Sequence, residues 1–149
     1  MPLDHGVWDY LFAPALARNR RVSSNEQPNW NDGNMDMTWL QPGEMLEMPT
    51  LTGPGVIRHI WMTSHAGGVG ELDALTLRMY WDDSPKPSVE APLGMFFAVG
   101  QGKPAPVDSV PVQVSPSGSL TCYWPMPFRK SARITVTNDN PSRGTGLYW

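Results

Sequence analysis

Residues 78–97 read RMYWDDSPKPSVEAPLGMFF and decide the fold class of this chain. A strand-like run ends in an acidic turn at Asp82 and Asp83, and a proline-punctuated extended segment follows. That segment ends on two adjacent aromatic residues, Phe96 and Phe97. Rigid, shaped connections between short strands are typical of the rims of a β-sandwich. The stretch therefore predicts an all-β fold.

The same alternation continues outside this stretch. Residues 73–82 and 131–138 each alternate apolar and polar side chains, which predicts strands with one face in water. Residues 56–63 are apolar on both sides and predict a central strand that is covered on both faces. Further strands are predicted at 20–24, 36–41, 44–52, 107–114, 118–124 and 145–149, separated by proline- and glycine-rich turns.

About eight short strands without helices between them indicate an antiparallel sandwich or barrel. A parallel sheet is excluded, because its crossovers need a dozen or more residues. One short N-terminal helix is expected over residues 9–18, where apolar residues recur at three- and four-residue spacing. We interpret residues 1–149 as a single domain, with residues 1–19 forming an arm that contains this helix.

Charge and composition exclude several classes of function. Lys and Arg total 11 against 14 Asp and Glu, so no basic face is expected and nucleic acid is not a predicted partner. No run approaches the roughly 18 apolar residues that cross a bilayer, so no membrane partner is expected. The N-terminus lacks a secretory signal, which predicts a cytoplasmic protein if the chain is complete.

Metal and thiol chemistry are not expected either. Cys122 is the only cysteine, so it forms no intrachain disulfide, and we interpret it as a small core residue. His59 and His65 have no third ligand nearby in sequence. No metal site and no cofactor are predicted.

Seven tryptophans are many for 149 residues, and several lie beside turn signals. Indoles at a rim fit either a sugar-stacking surface or a subunit interface. Composition does not choose between the two.

The sharpest polar constellation is the pair Ser23-Ser24, the run from Asp32 to Asp36, and Arg58 on a later strand. Hydroxyl, amide, carboxylate and guanidinium groups beside tryptophans are the groups that hold a sugar. The alternative is that Asn34 and Asp36 only cap an irregular loop. Glycosidic cleavage needs two facing carboxyl groups, and the sequence does not show which two could meet.

Ordered motifs along most of the chain resemble a known family. They are Arg21-Val22-Ser23-Ser24, Gly33-Asn34-Met35-Asp36, Pro42-Gly43-Glu44, Gly53-Pro54-Gly55-Val56-Ile57-Arg58-His59-Ile60-Trp61, Tyr80-Trp81-Asp82, Pro87-Ser88-Val89-Glu90-Ala91-Pro92-Leu93-Gly94-Met95-Phe96-Phe97 and Tyr123-Trp124-Pro125-Met126-Pro127-Phe128. The chain is similar to the first half of domain-of-unknown-function family 2961. Part of that family is classed as glycoside hydrolase family 172, which acts on difructose dianhydrides and on furanosides such as arabinan.

The resemblance implies an antiparallel jelly-roll β-sandwich, normally one of two in tandem, assembled into homo-oligomers. It implies substrate contacts at Ser24, Asn34, Asp36 and Arg58, with Trp61 as a further contact. The family's catalytic glutamates lie in the second jelly roll, in a Gly-Thr-Glu-Asp-Tyr-Phe-like motif that has no match here. No catalytic residue is therefore predicted in this chain.

Three hypotheses follow. The first is the N-terminal half of a carbohydrate-active enzyme, paired with a second jelly roll and a furanoside substrate. The second is a structural jelly roll that assembles into a ring, shell or filament without catalysis. The third is a sugar-binding module without hydrolysis.

Overall fold

The protein was analysed as a computed structural model, which describes residues 18–25, 36–64, 72–100 and 105–149. The helix expected over residues 9–18 lies almost wholly outside these ranges. So does most of the arm expected over residues 1–19.

The described residues form thirteen short strands. These are β1 (Thr38–Leu40), β2 (Met45–Glu47), β3 (Leu51–Thr52), β4 (Gly55–Ile57), β5 (Ile60–Ser64), β6 (Leu75–Trp81), β7 (Val89–Pro92), β8 (Val107–Asp108), β9 (Val112–Val114), β10 (Leu120–Cys122), β11 (Met126–Phe128), β12 (Ser131–Asn138) and β13 (Thr145–Tyr148). The helical elements in the described ranges are a 3₁₀ turn at Leu72–Ala74 and the one-turn helix α1 at Leu93–Phe96. The all-β prediction is confirmed.

The strands pair antiparallel in two main sheets. A six-stranded sheet has the order β1-β13-β5-β10-β9-β8, and a five-stranded sheet has the order β2-β12-β6-β7, with β3 also pairing β12. A two-stranded ribbon joins β11 to β4. One core cluster contains inward side chains of both main sheets, such as Met62 and Leu120 from the first and Leu77 and Val136 from the second. The arrangement is a β-sandwich.

Strands β6 and β12 form the longest ladder, from Ala132 opposite Trp81 to Asn138 opposite Leu75. Both were predicted from period two, and both bury the apolar face that the sequence indicated. The polar face of β12 is only partly wet, because Thr135 is completely buried. Side chains at alternate positions thus build one side of the core.

The acidic turn after β6 is confirmed. Asp82 and Asp83 have φ of 56° and 65°, and Ser84 N donates to Trp81 O at 3.0 Å. Aspartate tolerates the left-handed region better than most residues, which explains why two stand in sequence here. The segment that follows forms β7 and α1 instead of a plain connection.

Other predictions were wrong in detail. Residues 56–63 form two strands, β4 and β5, interrupted at Arg58 and His59. Strand β5 does lie inside a sheet, but Val56 and Trp61 are exposed, so two-sided burial is incorrect. Residues 20–24 form no strand. Predicted strands 44–52 and 107–114 are each divided into two, so the count exceeds eight.

Candidate functional site

Ser23 and Ser24 are bound to the backbone of Trp149. Ser24 N donates to Trp149 O at 2.8 Å, and Trp149 N donates to Ser24 Oγ at 3.1 Å. Ser23 Oγ also donates to Trp149 O at 3.0 Å. Only 3% of Ser24 is exposed. The predicted contact Ser24 therefore has its hydroxyl engaged at the end of β13.

Trp149 also connects this cluster to β1. Its indole Nε1 donates to Thr38 Oγ1 at 3.3 Å, and its ring packs against the core. The half-buried Asp36 precedes Thr38 by two residues. The structure thus brings Ser24 and the backbone around Asp36 to the same end of the six-stranded sheet. Asn34 lies outside the described residues.

Trp61 lies on the other side of this sheet. Its neighbour Met62 points into the core and is 1% exposed, whereas Trp61 is 40% exposed. The indole Nε1 of Trp61 donates to Ser119 Oγ at 2.6 Å, so one edge of the ring is fixed. Because Trp149 packs inward and Trp61 faces outward, the predicted contacts fall into two groups.

Arg58 lies in the two-residue interruption between β4 and β5 and is exposed. The strands that pair with β5 and β4 are β10 and β11, and they are separated by a similar interruption at residues 123–125. Across this gap the rings of His59 and Tyr123 lie 5.2 Å apart at 33°. Arg58 therefore stands beside an aromatic pair that sequence analysis did not single out. The motif Tyr123-Trp124 was the available signal.

A family model described as GH172 domain-like matches residues 32–146, which is most of the chain. The chain belongs to the GH172 domain-like family. The matched range includes Asn34, Asp36, Arg58 and Trp61, and it ends before Trp149. No curated protein matches the chain significantly.

Several carboxylates of this GH172-like domain are engaged in structural contacts. Glu47 pairs with Arg133 and Glu90 with Arg78, each at 3.3 Å. Glu44 accepts a hydrogen bond from the backbone of Gln41 at 2.7 Å. These three glutamates therefore support strands and turns.

Asp82 is the carboxylate with the most backbone donors among the described residues. Its Oδ1 accepts N–H groups from Lys130 at 2.7 Å, Arg129 at 2.8 Å and Ser131 at 3.4 Å. These bonds lower the pKa of Asp82, and the bond from Lys130 has the largest effect. Asp83 accepts from Ser131 Oγ at 2.6 Å. The pair ties the β6 turn to the start of β12.

Cys122 is fully buried in the core, as the sequence predicted. Burial raises the pKa of its thiol. Within the described residues, no group of three His, Cys, Asp or Glu side chains could hold a metal ion. No helix in those residues is long and apolar enough to cross a membrane.

Proposed function

We propose that this chain is the N-terminal jelly-roll half of a carbohydrate-active, glycoside hydrolase-like protein, folded as a single domain. In this role it supplies sugar contacts and an oligomer interface, while a second jelly roll supplies the catalytic glutamates. The observation that carries the proposal is the family match across residues 32–146.

The path of the chain supports a jelly roll. Strand β1 belongs to the six-stranded sheet, β2 and β3 to the other, β5 to the first again, and β6 and β7 to the second. The chain crosses again at β8–β10, at β12 and at β13. Repeated crossing between two antiparallel sheets is typical of Greek-key sandwiches, including jelly rolls.

The proposed furanoside contacts are Asn34, Asp36, Arg58 and Trp61, together with Ser24. Arg58 and Trp61 are exposed, and their guanidinium and indole suit a hydroxyl group and a ring face respectively. Ser24 contributes through its position beside Trp149, since its own hydroxyl is already bonded.

The carboxylates that form ion pairs and backbone hydrogen bonds support the proposal that the catalytic residues lie in the other half. Hydrolysis needs one protonated acid facing a second carboxylate across the sugar. Glu47 and Glu90 are each paired with an arginine, and Asp82 is held ionised by backbone N–H groups. Such surroundings favour charged, structural roles.

A second candidate is a self-assembling structural domain without catalysis. Large apolar side chains stand exposed, among them Trp39 at 47%, Met45 at 54% and Trp124 at 46%. Exposed aromatic residues are common at protein interfaces. Sedimentation of the purified chain tests this candidate, and a strict monomer at high concentration would remove it.

The test of the first proposal is calorimetric titration with arabinofuranosides and difructose dianhydride, with sugar release followed in parallel. We expect binding without turnover, and binding weakened in Asp36→Asn and Arg58→Ala. The control is Asp108→Asn, an exposed residue of β8, which should bind as the wild type does. Turnover that disappears in a variant of one acidic residue of this chain would contradict the proposal.

A further inference from the structure

The outer face of the six-stranded sheet carries an aromatic surface that extends beyond the proposed furanoside contact Trp61. Leu120 and Cys122 point into the core and are fully buried. The alternate residues Thr121 and Tyr123 therefore face outward, and Thr121 is paired with Trp61. We call Trp61, Thr121 and Tyr123, with the adjoining Ser119 and His59, the outer platform.

The aromatic rings of the outer platform are held in place and open to solvent. Trp61 is fixed by its hydrogen bond to Ser119 at 2.6 Å, and Tyr123 is supported by the ring of His59. Their exposed fractions are 40% and 46%. Because the indole N–H is already bonded, the free part of Trp61 is its ring face. A fixed ring loses little conformational entropy when a ligand stacks on it.

The two outer faces of the sandwich differ in charge. On the five-stranded sheet four of the outward side chains are charged and form two ion pairs, Arg78–Glu90 and Arg133–Glu47. Arg133 also lies 3.7 Å from the centre of the Tyr80 ring. The outer face of the five-stranded sheet thus carries paired charges.

The outer face of the four inner strands of the six-stranded sheet bears no charged and no aliphatic side chain among the described residues. Its outward positions that reach solvent are Tyr148 on β13, Trp61 and Thr63 on β5, Thr121 on β10 and Gln113 on β9. Aromatic rings thus alternate with hydroxyl and amide groups. Within these four strands a charged ligand would find no counter-charge, although the exposed Arg58 lies beside His59. A protein interface would ordinarily bury an apolar core at its centre.

We propose that the outer platform binds a neutral oligosaccharide. The C–H faces of sugar rings stack on Trp61 and Tyr123, and sugar hydroxyls exchange hydrogen bonds with Thr121 and its neighbours. This binding goes beyond the proposed function, because Thr121 and Tyr123 are not among the furanoside contacts. It also places Trp61 in a surface separate from the Ser24–Trp149 cluster.

The experiment is calorimetric titration of the 149-residue chain with arabino-, fructo- and cello-oligosaccharides of increasing length. We expect Tyr123→Ala and Trp61→Ala to weaken binding about tenfold each, and Trp61→Phe to weaken it less because the ring remains. The matched control is Tyr80→Ala, which removes an aromatic ring from the outer face of the other sheet. It should leave the affinity unchanged.

The outcomes separate this inference from the proposed function. Binding that is lost in Asp36→Asn but unchanged in Tyr123→Ala overturns the outer platform and leaves the furanoside contacts standing. The reverse pattern supports the platform and removes the role of Asp36. Absence of binding to every neutral oligosaccharide overturns the platform. A change of sedimentation in Tyr123→Ala without a change of affinity also overturns it, since the face is then a protein interface.

Discussion

Ser24 and Trp149 are 125 residues apart in sequence and share three hydrogen bonds. The backbone N–H of each residue donates to an oxygen of the other, and the Ser24 hydroxyl also lies 3.2 Å from Trp149 O. Trp149 is bonded in turn to Thr38. Trp149, at the end of β13, therefore contacts the chain both at Ser24 and at Thr38.

Ser24→Ala should lower the free energy of unfolding by about 1–2 kcal/mol, because it leaves the partly buried Trp149 N–H without its acceptor. Urea denaturation measures the change. Ser142→Ala, at an exposed position, is the control and should stay within about 0.5 kcal/mol of wild type. Equal stability of Ser24→Ala and wild type would show that the contact does not hold the chain.

Gly53→Ala should destabilise the protein by about 2 kcal/mol. A Cβ there would stand 2.7 Å from Arg129 O and 3.0 Å from Lys130 O, and these backbone atoms cannot move without disturbing β12. Gly100→Ala is the matched control, because nothing lies within 4 Å of its Cβ position. Thermal unfolding should separate the two variants, and similar melting temperatures would contradict the packing described here.

Thr135→Val should stabilise the protein by about 1 kcal/mol, since the Thr135 hydroxyl is buried without a hydrogen-bond partner among the described residues. The matched variant is Thr137→Val on the same face of β12. It removes the acceptor of a 3.0 Å hydrogen bond from Arg78 and should destabilise by about 1 kcal/mol. Denaturation of both variants shows whether each change raises or lowers the free energy of unfolding. Destabilisation by Thr135→Val would show that the Thr135 hydroxyl has a hydrogen-bond partner.

Asp82→Asn should lower the stability of the protein at neutral pH. It should also make that stability less dependent on pH in the acid range. The folded pKa of Asp82 is lowered from 3.8, so its contribution is complete above the pKa of the unfolded chain. That contribution is lost as the pH falls from there through the folded pKa. The difference in urea midpoint between variant and wild type should therefore shrink from about pH 7 to about pH 2.5. A difference that is constant with pH would exclude the charge as its cause.

The alternation of apolar and polar residues was sufficient to predict β6 and β12, because each strand buries its alternate apolar side chains in one core. It failed for β7 and β11, which contain Pro92 and Pro127. Proline lacks the N–H of a ladder and argues against a strand. Strand β7 tolerates it at the edge of its sheet, and β11 tolerates it in a two-stranded ribbon.

The candidate site was predictable only in part. Arg58 and Trp61 belong to one motif, but the sequence could not show that the strand breaks at Arg58 and His59. The contact of Ser24 with Trp149 depends on sheet topology, since β13 lies between β1 and β5. No local pattern records that arrangement. The aromatic pair of His59 and Tyr123 likewise can be predicted only when the pairing register of β5 and β10 is known.

The most direct test of the proposed half-enzyme is a proton NMR time course of the 149-residue chain with an arabinofuranoside, including saturation transfer to the sugar. The account predicts transfer to the bound sugar and a ligand spectrum that stays unchanged with time. New reducing-end signals that vanish on replacing one acidic residue of this chain, or no transfer at all, would contradict it.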